Sequence, residues 1–468
     1  MESSTVTSVS VKRKIEETDI STKGPPQTKR KVQSTITQAT VSNFFKPKAE
    51  KEPEPVVWRC LKNSLLIARY NVKGAAQNGL EMKEPRKIAA FDLDSTLIKT
   101  KSGNKHPKDE HDWLFFHPSV PAKLKSLHES SHQVIIFSNQ AGIKLDSKAK
   151  VNKREQQFKS KVNSVLSNLN LPISVYAATT KDIYRKPRTG MWDEMVDDYD
   201  LDVHGVDLEN SFLVGDAAGR EGDFSASDKN FAANLNIKFY TPEEYFLSQK
   251  PKPAKPDLFN PSSYITEATN GDQKPRFTPL QKDQLEVILF VGSPASGKST
   301  FYNKHILNNS LDKTYTRINQ DTLKTRDKCL KVAGERLSEG ESIVVDNTNP
   351  EAATRKLWID LAKKHNAKIR CFYFNVPADL CNHNDAVRGL HAPTADGARE
   401  ERVDEKKAEL AKSLNPDGRA QLPGMAFSGF RSKLQAPELK EGFDELVELK
   451  FEFEGGNAER EVWGRFWT

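Results

Sequence analysis

The sequence is short of cysteine, of long apolar runs and of charge of one sign. Four cysteines, Cys60, Cys329, Cys371 and Cys381, are scattered over 468 residues with no CxxC spacing, which argues against a zinc site and an oxidising compartment. The longest apolar stretch, around Leu285–Val291, is broken by Glu286 and falls far short of the ~20 residues that cross a bilayer, so no membrane span and no membrane partner are expected. The first residues, MESSTVTSVSVKRK, bring no apolar core after their charges, so no secretory signal is read there and an intracellular protein is expected. Hydrophobic residues make up 36% of the chain. Even with glycine counted this stays below the roughly 45–50% of an average globular chain, so part of it is expected to be disordered. The net charge is only +7, from 71 Lys+Arg against 64 Asp+Glu, compatible with a nucleic-acid ligand but too weak to demand one.

What is present falls into blocks, and at about 150 residues per domain the length allows two or three units. Residues 1–56 are rich in Ser, Thr, Lys and Pro, with Phe44 and Phe45 as their only aromatics; they cannot bury a core and are expected to be a disordered tail. Residues 57–249 carry apolar runs at Ile88–Phe91, Val134–Phe137 and Phe212–Val214, separated by amphipathic stretches such as Phe158–Leu169, the pattern of a parallel α/β sheet. Residues 250–284 hold six prolines, Pro251, Pro253, Pro256, Pro261, Pro275 and Pro279, and read as an extended linker. Residues 285–468 bring a second strand–helix series, with strands expected at Val287–Val291, Ile343–Val345 and Ile369–Phe374. The expected fold class is α/β: two doubly wound parallel-sheet domains after the tail, with no internal repeat.

The strand Val287–Val291 runs into Gly292-Ser293-Pro294-Ala295-Ser296-Gly297-Lys298-Ser299-Thr300, a match to G-x-x-x-x-G-K-[ST]. Gly292, Ser296 and Gly297 let backbone N–H groups curl around phosphate oxygens at a helix N-terminus. Lys298 reaches the β/γ-phosphates, and Ser299, followed by Thr300, offers a hydroxyl to Mg²⁺. ATP or GTP binding follows. Asp321 lies just after the strand around Tyr315, where an open α/β sheet meets its ligands; it is a candidate general base for phosphoryl transfer or an N-cap for the helix that follows. Asp346, after Ser342–Val345, stands at a Walker-B-like position, orienting magnesium or capping the turn before Pro350. His383, Asn384 and Arg388 precede a polar stretch suited to a mobile lid, with Arg388 as a charge-stabilising arginine.

In the first domain Ile88–Phe91 leads into Asp92-Leu93-Asp94-Ser95-Thr96. Two aspartates at i and i+2 past a buried strand point the same way, so Asp92 can attack phosphorus while Asp94 trades protons with the leaving group. Ser138, with Asn139 and Gln140, closes the next apolar run and offers hydrogen bonds to a phosphoryl oxygen. Lys186 can neutralise the phosphate and the carboxylates. Asp216, after Phe212–Val214, adds a carboxylate for magnesium, giving Asp92, Asp94 and Asp216 as candidate ligands. Nucleophile, hydroxyl, lysine and acid at four strand ends make up the haloacid-dehalogenase-type phosphatase pattern.

This pairing closely resembles the eukaryotic polynucleotide kinase 3′-phosphatase family. The stretches that carry the resemblance are Phe91–Leu97, Tyr184–Pro187 through Gly190-Met191-Trp192, Val214–Arg220, Asp223-Phe224-Ser225, the phosphate loop, Asp346–Pro350 and Glu438 through Gly442-Phe443, spanning about residues 86–455. The resemblance implies a haloacid-dehalogenase-like 3′-phosphatase joined to a P-loop 5′-kinase, acting on DNA strand-break ends with Mg²⁺ and ATP. It gives Asp92 the role of phosphoaspartyl nucleophile, Asp94 that of acid/base and Asp216 that of metal ligand. In the second domain it makes Lys298 and Ser299 the ATP-binding pair, Asp321 the base and Arg388 the transition-state arginine. The family's usual D-x-D-G-T has Ser95 in place of glycine here, a change expected to be tolerated unless that backbone needs a positive φ. The phosphopeptide-binding domain of the animal enzymes needs ~100 residues and is not expected in residues 1–56. A monomer is expected.

The triplets Lys12-Arg13-Lys14 and Lys29-Arg30-Lys31 read as a bipartite nuclear-localisation signal or as a solvated basic tail. Gln38, Val41, Phe44 and Phe45 resemble the sliding-clamp (PCNA) peptide, and two exposed phenylalanines in a polar tail suit a partner that buries them. Two rival readings remain open on motifs alone: a small-metabolite kinase/phosphatase fusion, and a clamp-tethered scaffold with inactive sites.

Overall fold

A computed structural model describes residues 55–72, 85–145, 152–265, 276–307, 314–391 and 405–468. Both basic triplets, the clamp motif at Gln38, Val41, Phe44 and Phe45, and the polar stretch after His391 lie outside the described residues.

Among the described residues the chain is α/β, with two large sheets and a two-stranded ribbon. Strands β1 (Val56–Leu61), β2 (Leu65–Tyr70), β3 (Lys87–Phe91), β6 (His132–Asn139), β7 (Ser174–Ala178), β8 (Phe212–Val214) and β9 (Lys238–Tyr240) form the first, in the order β1-β2-β7-β6-β3-β8-β9. A short ribbon of β4 (Ile98–Lys99) and β5 (Leu114–Phe115) stands apart. From β7 to β9 the pairing is parallel. Strand β2 is antiparallel to β7 and to β1, adding a hairpin at one edge that was not expected from the sequence. Its turn places Lys62 and Asn63 at φ 49° and 51° without glycine, so the usual composition signal of a hairpin is missing.

The second sheet holds β10 (Glu286–Gly292), β11 (Tyr315–Ile318), β12 (Ser342–Val345), β13 (Lys368–Phe374) and β14 (Glu445–Leu449), all parallel, in the order β11-β12-β10-β13-β14. Strands β3 and β10 are apolar almost throughout because helices cover both faces of a parallel sheet. Their side chains alternate between two cores. Ala89 and Phe91 pack with Val134 and Ile136, whereas Ile88 and Ala90 pack with Ile135 and Phe137; Val287, Leu289 and Val291 face one core of the second sheet, Ile288 and Phe290 the other.

The proline-bearing segment 250–284 departs from a free spacer at its aromatic residues. Phe259, Tyr264 and Ile265 pack beside Trp463 and Phe451. Phe277 is buried against Tyr315 and Phe372. Proline prevents regular structure but leaves neighbouring aromatic side chains free to anchor, and composition alone does not separate the two.

Candidate active sites

The first site lies at the carboxyl ends of β3, β6 and β8. Asp92 is buried, and its Oδ1 accepts from Lys186 Nζ at 2.6 Å. Lys186 Nζ also donates to the Phe137 carbonyl at 2.7 Å and pairs with Asp228 Oδ1 at 2.7 Å. Asp92, Asp216 and Asp228 bring carboxylate oxygens within 4.8 Å of one another. Burial pushes the Asp92 carboxyl well above its ordinary value; Lys186 offsets this only in part, and Asp228 and Asp216 add to it. Burial and then Asp228 push Asp216 up to about 7. For Lys186 burial acts downward, but Asp228 and Asp92 outweigh it and raise the net value. Three crowded acids around one ammonium form an oxygen-only donor set suited to a hard divalent cation.

Asp94 does not join that cluster. Its Oδ1 accepts from Lys161 Nζ and its Oδ2 from Gln140 Nε2, each at 2.7 Å, and its side chain is 47% exposed. The carboxylate beside those of Asp92 and Asp216 is that of Asp228, and the Asp94 side chain faces the open side. Gln140 Nε2 also donates to Ser138 Oγ at 2.8 Å, so Ser138 and Asp94 share one amide. Gly215 is required because a Cβ there would lie 2.5 Å from Asp228 Oδ2. Ser95 sits at φ 61°, so the backbone does take the left-handed conformation at the position where the family's usual motif has glycine.

Sequence reasoning missed Asp228 and Lys161. Lys161 carried a legible signal: it is buried on the helix Lys153–Leu169 beside Phe158, Val162 and Val165, where a buried lysine calls for an acidic partner. Asp228 is a buried acid in the first turn of the helix Ser227–Leu235, accepting from Ala217 N at 3.0 Å. It reaches the site only through tertiary packing.

The second site lies at the ends of β10, β11 and β12. A Cβ at Gly292 would approach Ser296 Oγ and Phe374 Cβ to 2.8 Å, which fixes glycine at the start of the loop. Lys298 Nζ donates to Gly292 O at 3.0 Å and Ser293 O at 2.6 Å. Burial lowers it to about 8, Asp346 opposing and Arg419 and Arg388 assisting. Ser299 Oγ donates to Asp346 Oδ2 at 2.9 Å, and Arg317 Nε donates to the same oxygen at 2.9 Å. Asp346 therefore turns its carboxylate onto the loop serine.

Asp321 is free of capping duty. Asn319 caps the helix Gln320–Leu323 by accepting from Asp321 N at 2.7 Å, which leaves the Asp321 carboxylate 75% exposed, 3.4 Å from Arg419 Nη1. Arg388 sits on the helix Ala378–Leu390, ion-paired with Asp385, with its buried Nε unpartnered among the described residues. Asn415, missed in the sequence, donates through Nδ2 to the carbonyls of both Arg388 and Arg419, each at 2.9 Å. His383 is buried: its Nε2 bonds the Trp463 carbonyl at 2.8 Å and burial lowers it to about 4, so it packs as a neutral ring. A cavity of about 390 Å³ opens beside Gly297–Phe301, Arg388, Phe451 and Trp463. A second groove of about 430 Å³ lies between Pro294, Gln320, Arg326, Asn347, Met425 and Lys433.

A family profile described as polynucleotide kinase 3 phosphatase matches residues 87–246, and one described as an AAA domain matches residues 324–412. The bifunctional polynucleotide phosphatase/kinase of Schizosaccharomyces pombe is 38% identical over 391 residues, 84% of this chain and 84% of its own. The putative bifunctional polynucleotide phosphatase/kinase of Acanthamoeba polyphaga mimivirus is 30% identical over 422 residues, 84% of this chain and 91% of its own. Polynucleotide 3′-phosphatase ZDP of Arabidopsis thaliana is 37% identical over 209 residues, 42% of this chain and 28% of its own.

Proposed function

The chain belongs to the family of bifunctional polynucleotide phosphatase/kinases, and on that premise we propose a DNA-repair enzyme that removes 3′-phosphates and phosphorylates 5′-hydroxyls of strand breaks with ATP. The observation that carries this reading is the presence of two separate sites of opposite charge, each assembled at strand ends of its own sheet.

At the first site Asp92, with Oδ1 held by Lys186, attacks the phosphorus of a 3′-phosphate. The bond to the sugar oxygen breaks, and Asp94 supplies the proton that makes it a hydroxyl. Asp94, now a carboxylate, takes a proton from the water that cleaves the aspartyl phosphate, releasing inorganic phosphate and restoring Asp92. Lys186 and Ser138 serve the phosphoryl oxygens, and Lys161 orients Asp94. Asp92, Asp216 and Asp228 would hold Mg²⁺, which when bound offsets their crowded charge and that of the phosphoryl group. Phe224, 90% exposed on the loop between Asp216 and Asp228 with Lys105 over its ring at 5.7 Å, suits stacking on a base near the strand end.

At the second site the loop amides and Lys298 bind the β/γ-phosphates of ATP, and Ser299 and Asp346 would hold the accompanying Mg²⁺. Asp321 takes the proton of the 5′-hydroxyl as its oxygen attacks the γ-phosphorus and ADP leaves. Arg388 and Arg419 stabilise charge on the transferring group. The groove from Pro294 to Lys433 is suited to the acceptor strand, with Arg326 and Lys433 for phosphates and Met425 for a base.

The basic triplets support a nuclear location, and Gln38, Val41, Phe44 and Phe45 support tethering of a monomer to the sliding clamp; Phe44→Ala/Phe45→Ala should abolish capture by purified clamp, and unchanged capture removes the tether. The metabolite-enzyme and inactive-scaffold readings are not favoured, because the relatives are named for polynucleotides and both sets of reactive side chains are assembled. The deciding assay uses a nicked oligonucleotide with 3′-phosphate and 5′-hydroxyl. Asp92→Asn should abolish only dephosphorylation and Lys298→Ala only phosphorylation; loss of both activities in either variant contradicts two separable sites.

A further inference from the structure

Three consecutive residues of the loop that presents Lys186 are each gripped from outside it. The Lys186 backbone pairs reciprocally with Asn139, its N–H donating to Oδ1 at 3.0 Å and its carbonyl accepting from Nδ2 at 3.1 Å. The Pro187 carbonyl accepts from Asn234 Nδ2 at 2.8 Å. The buried Arg188 donates through Nη1 to the carbonyls of Lys181 and Asp182 at 2.6 and 2.7 Å, and through Nε to the carbonyl of Trp467 at 3.0 Å. Asn234 also holds Phe466 from both sides, Nδ2 donating to its carbonyl at 2.7 Å and Oδ1 accepting its N–H at 2.8 Å. Both donors of one amide are thus committed, one to each half of the molecule, and no shorter side chain offers two donors and an acceptor.

Phe466 and Trp467 belong to the kinase half. They follow the helix Asn457–Trp463, whose indole Nε1 donates to Asn384 Oδ1 at 2.9 Å, while Asn384 Nδ2 donates to Ala295 O of the phosphate loop at 3.0 Å.

We propose that Asn234, Arg188 and the Phe466–Trp467 backbone are positioning elements of the phosphatase site, so that the kinase half sets the aim of Lys186. This rests on the role given to Lys186 above. The lysine makes three contacts of 2.6 to 2.7 Å, to Asp92, Asp228 and the Phe137 carbonyl. A backbone shift of a fraction of an ångström lengthens at least one of them, and misplacement by ~1 Å at a reacting centre costs on the order of 10²-fold.

The experiment measures kcat and KM for a 3′-phosphate oligonucleotide, and the 5′-kinase rate, in the full chain carrying Asn234→Ala, Arg188→Lys, both, or a stop after Arg465. Each change should lower phosphatase kcat roughly tenfold or more with KM within about twofold, at an unchanged kinase rate. Combining Asn234→Ala with the stop should cost no more than the larger single effect, because both act through the same contacts. If the shortened chain does not fold, the Asn234→Ala and Arg188→Lys pair carries the same cycle. Unchanged kcat, multiplicative losses, or an equal fall in kinase rate overturns the proposal while leaving the two-activity reading intact. A wild-type chain that releases no phosphate overturns that reading and this proposal together.

Discussion

At the end of β3 three carboxylates, Asp92 and Asp228 buried and Asp216 half-buried, crowd one lysine; at the end of β10 one buried lysine shares its surroundings with Arg388 and Arg419, and Asp346 is the carboxylate turned toward the loop. The two sites occupy equivalent places in similar sheets, yet burial raises acids in the first and lowers a base in the second. The first therefore calls for a cation before its acids can all ionise, and the second calls for an anion such as a polyphosphate. The same strand-end architecture thus serves two phosphoryl chemistries by reversing the sign of the charge excess.

The comparison is tested most severely at Arg388. Removing it as Arg388→Ala should lower the 5′-kinase kcat by roughly 10³-fold, the scale of a transition-state arginine, with phosphatase turnover unchanged in a single-turnover assay of both ends. A loss confined to ATP KM places Arg388 in ground-state binding instead. Next, Asp228→Asn should raise the Mg²⁺ concentration for half-maximal phosphatase activity roughly 10–100-fold and leave that of the kinase alone; an unchanged Mg²⁺ curve removes Asp228 from the cation site.

The sites should also answer pH in opposite ways. Lys298, at about 8 in the free protein, loses its charge above that pH, so KM for ATP should be flat below pH 8 and rise by up to about tenfold per unit above it. Asp216, at about 7 folded against about 3.9 unfolded, binds more protons folded than unfolded between those values. Its contribution to stability is therefore present at acid pH and lost as pH rises from about 4 through 7. In EDTA the melting temperature should fall across that window, and Asp216→Asn should flatten the fall. The smallest effect is expected for Ser95→Gly: it relieves a left-handed side-chain cost of ~1–2 kcal/mol against a glycine entropy cost of ~0.5–1 kcal/mol, so stability should move by about 1 kcal/mol or less with phosphatase kcat retained. A fall in kcat would show that the serine itself contributes.

The sequence was informative wherever a site residue follows directly on a buried strand. Asp92, Asp216, the phosphate loop and Asp346 all fall within a few residues of an apolar run, so strand and reactive group are read as one local word. Asp228, Arg419 and Asn415 were not legible, because each comes from a helix or loop brought in by packing, whereas Lys161 was legible as a buried lysine but its partner Asp94 was not. The ambiguity at Asp321 needed coordinates, since both Asn319 and Asp321 are good caps by type and only the Asn319 bond decides between them. The segment 250–284 misled for a related reason: proline count signals irregular backbone, and irregular backbone can still be firmly seated.

That seating bears on how the chain can be divided. A cut at the start of the proline segment leaves Phe259, Tyr264 and Phe277 with the kinase half they help to cover. A cut near residue 284 strips those rings from one fragment and leaves them dangling on the other, as greasy ends that invite aggregation. Modularity in this protein is therefore asymmetric: the aromatic anchors Phe259, Tyr264 and Phe277 of what looks like a hinge between two catalytic units are part of the second one's coat, and fragments intended to behave as independent enzymes should be bounded accordingly.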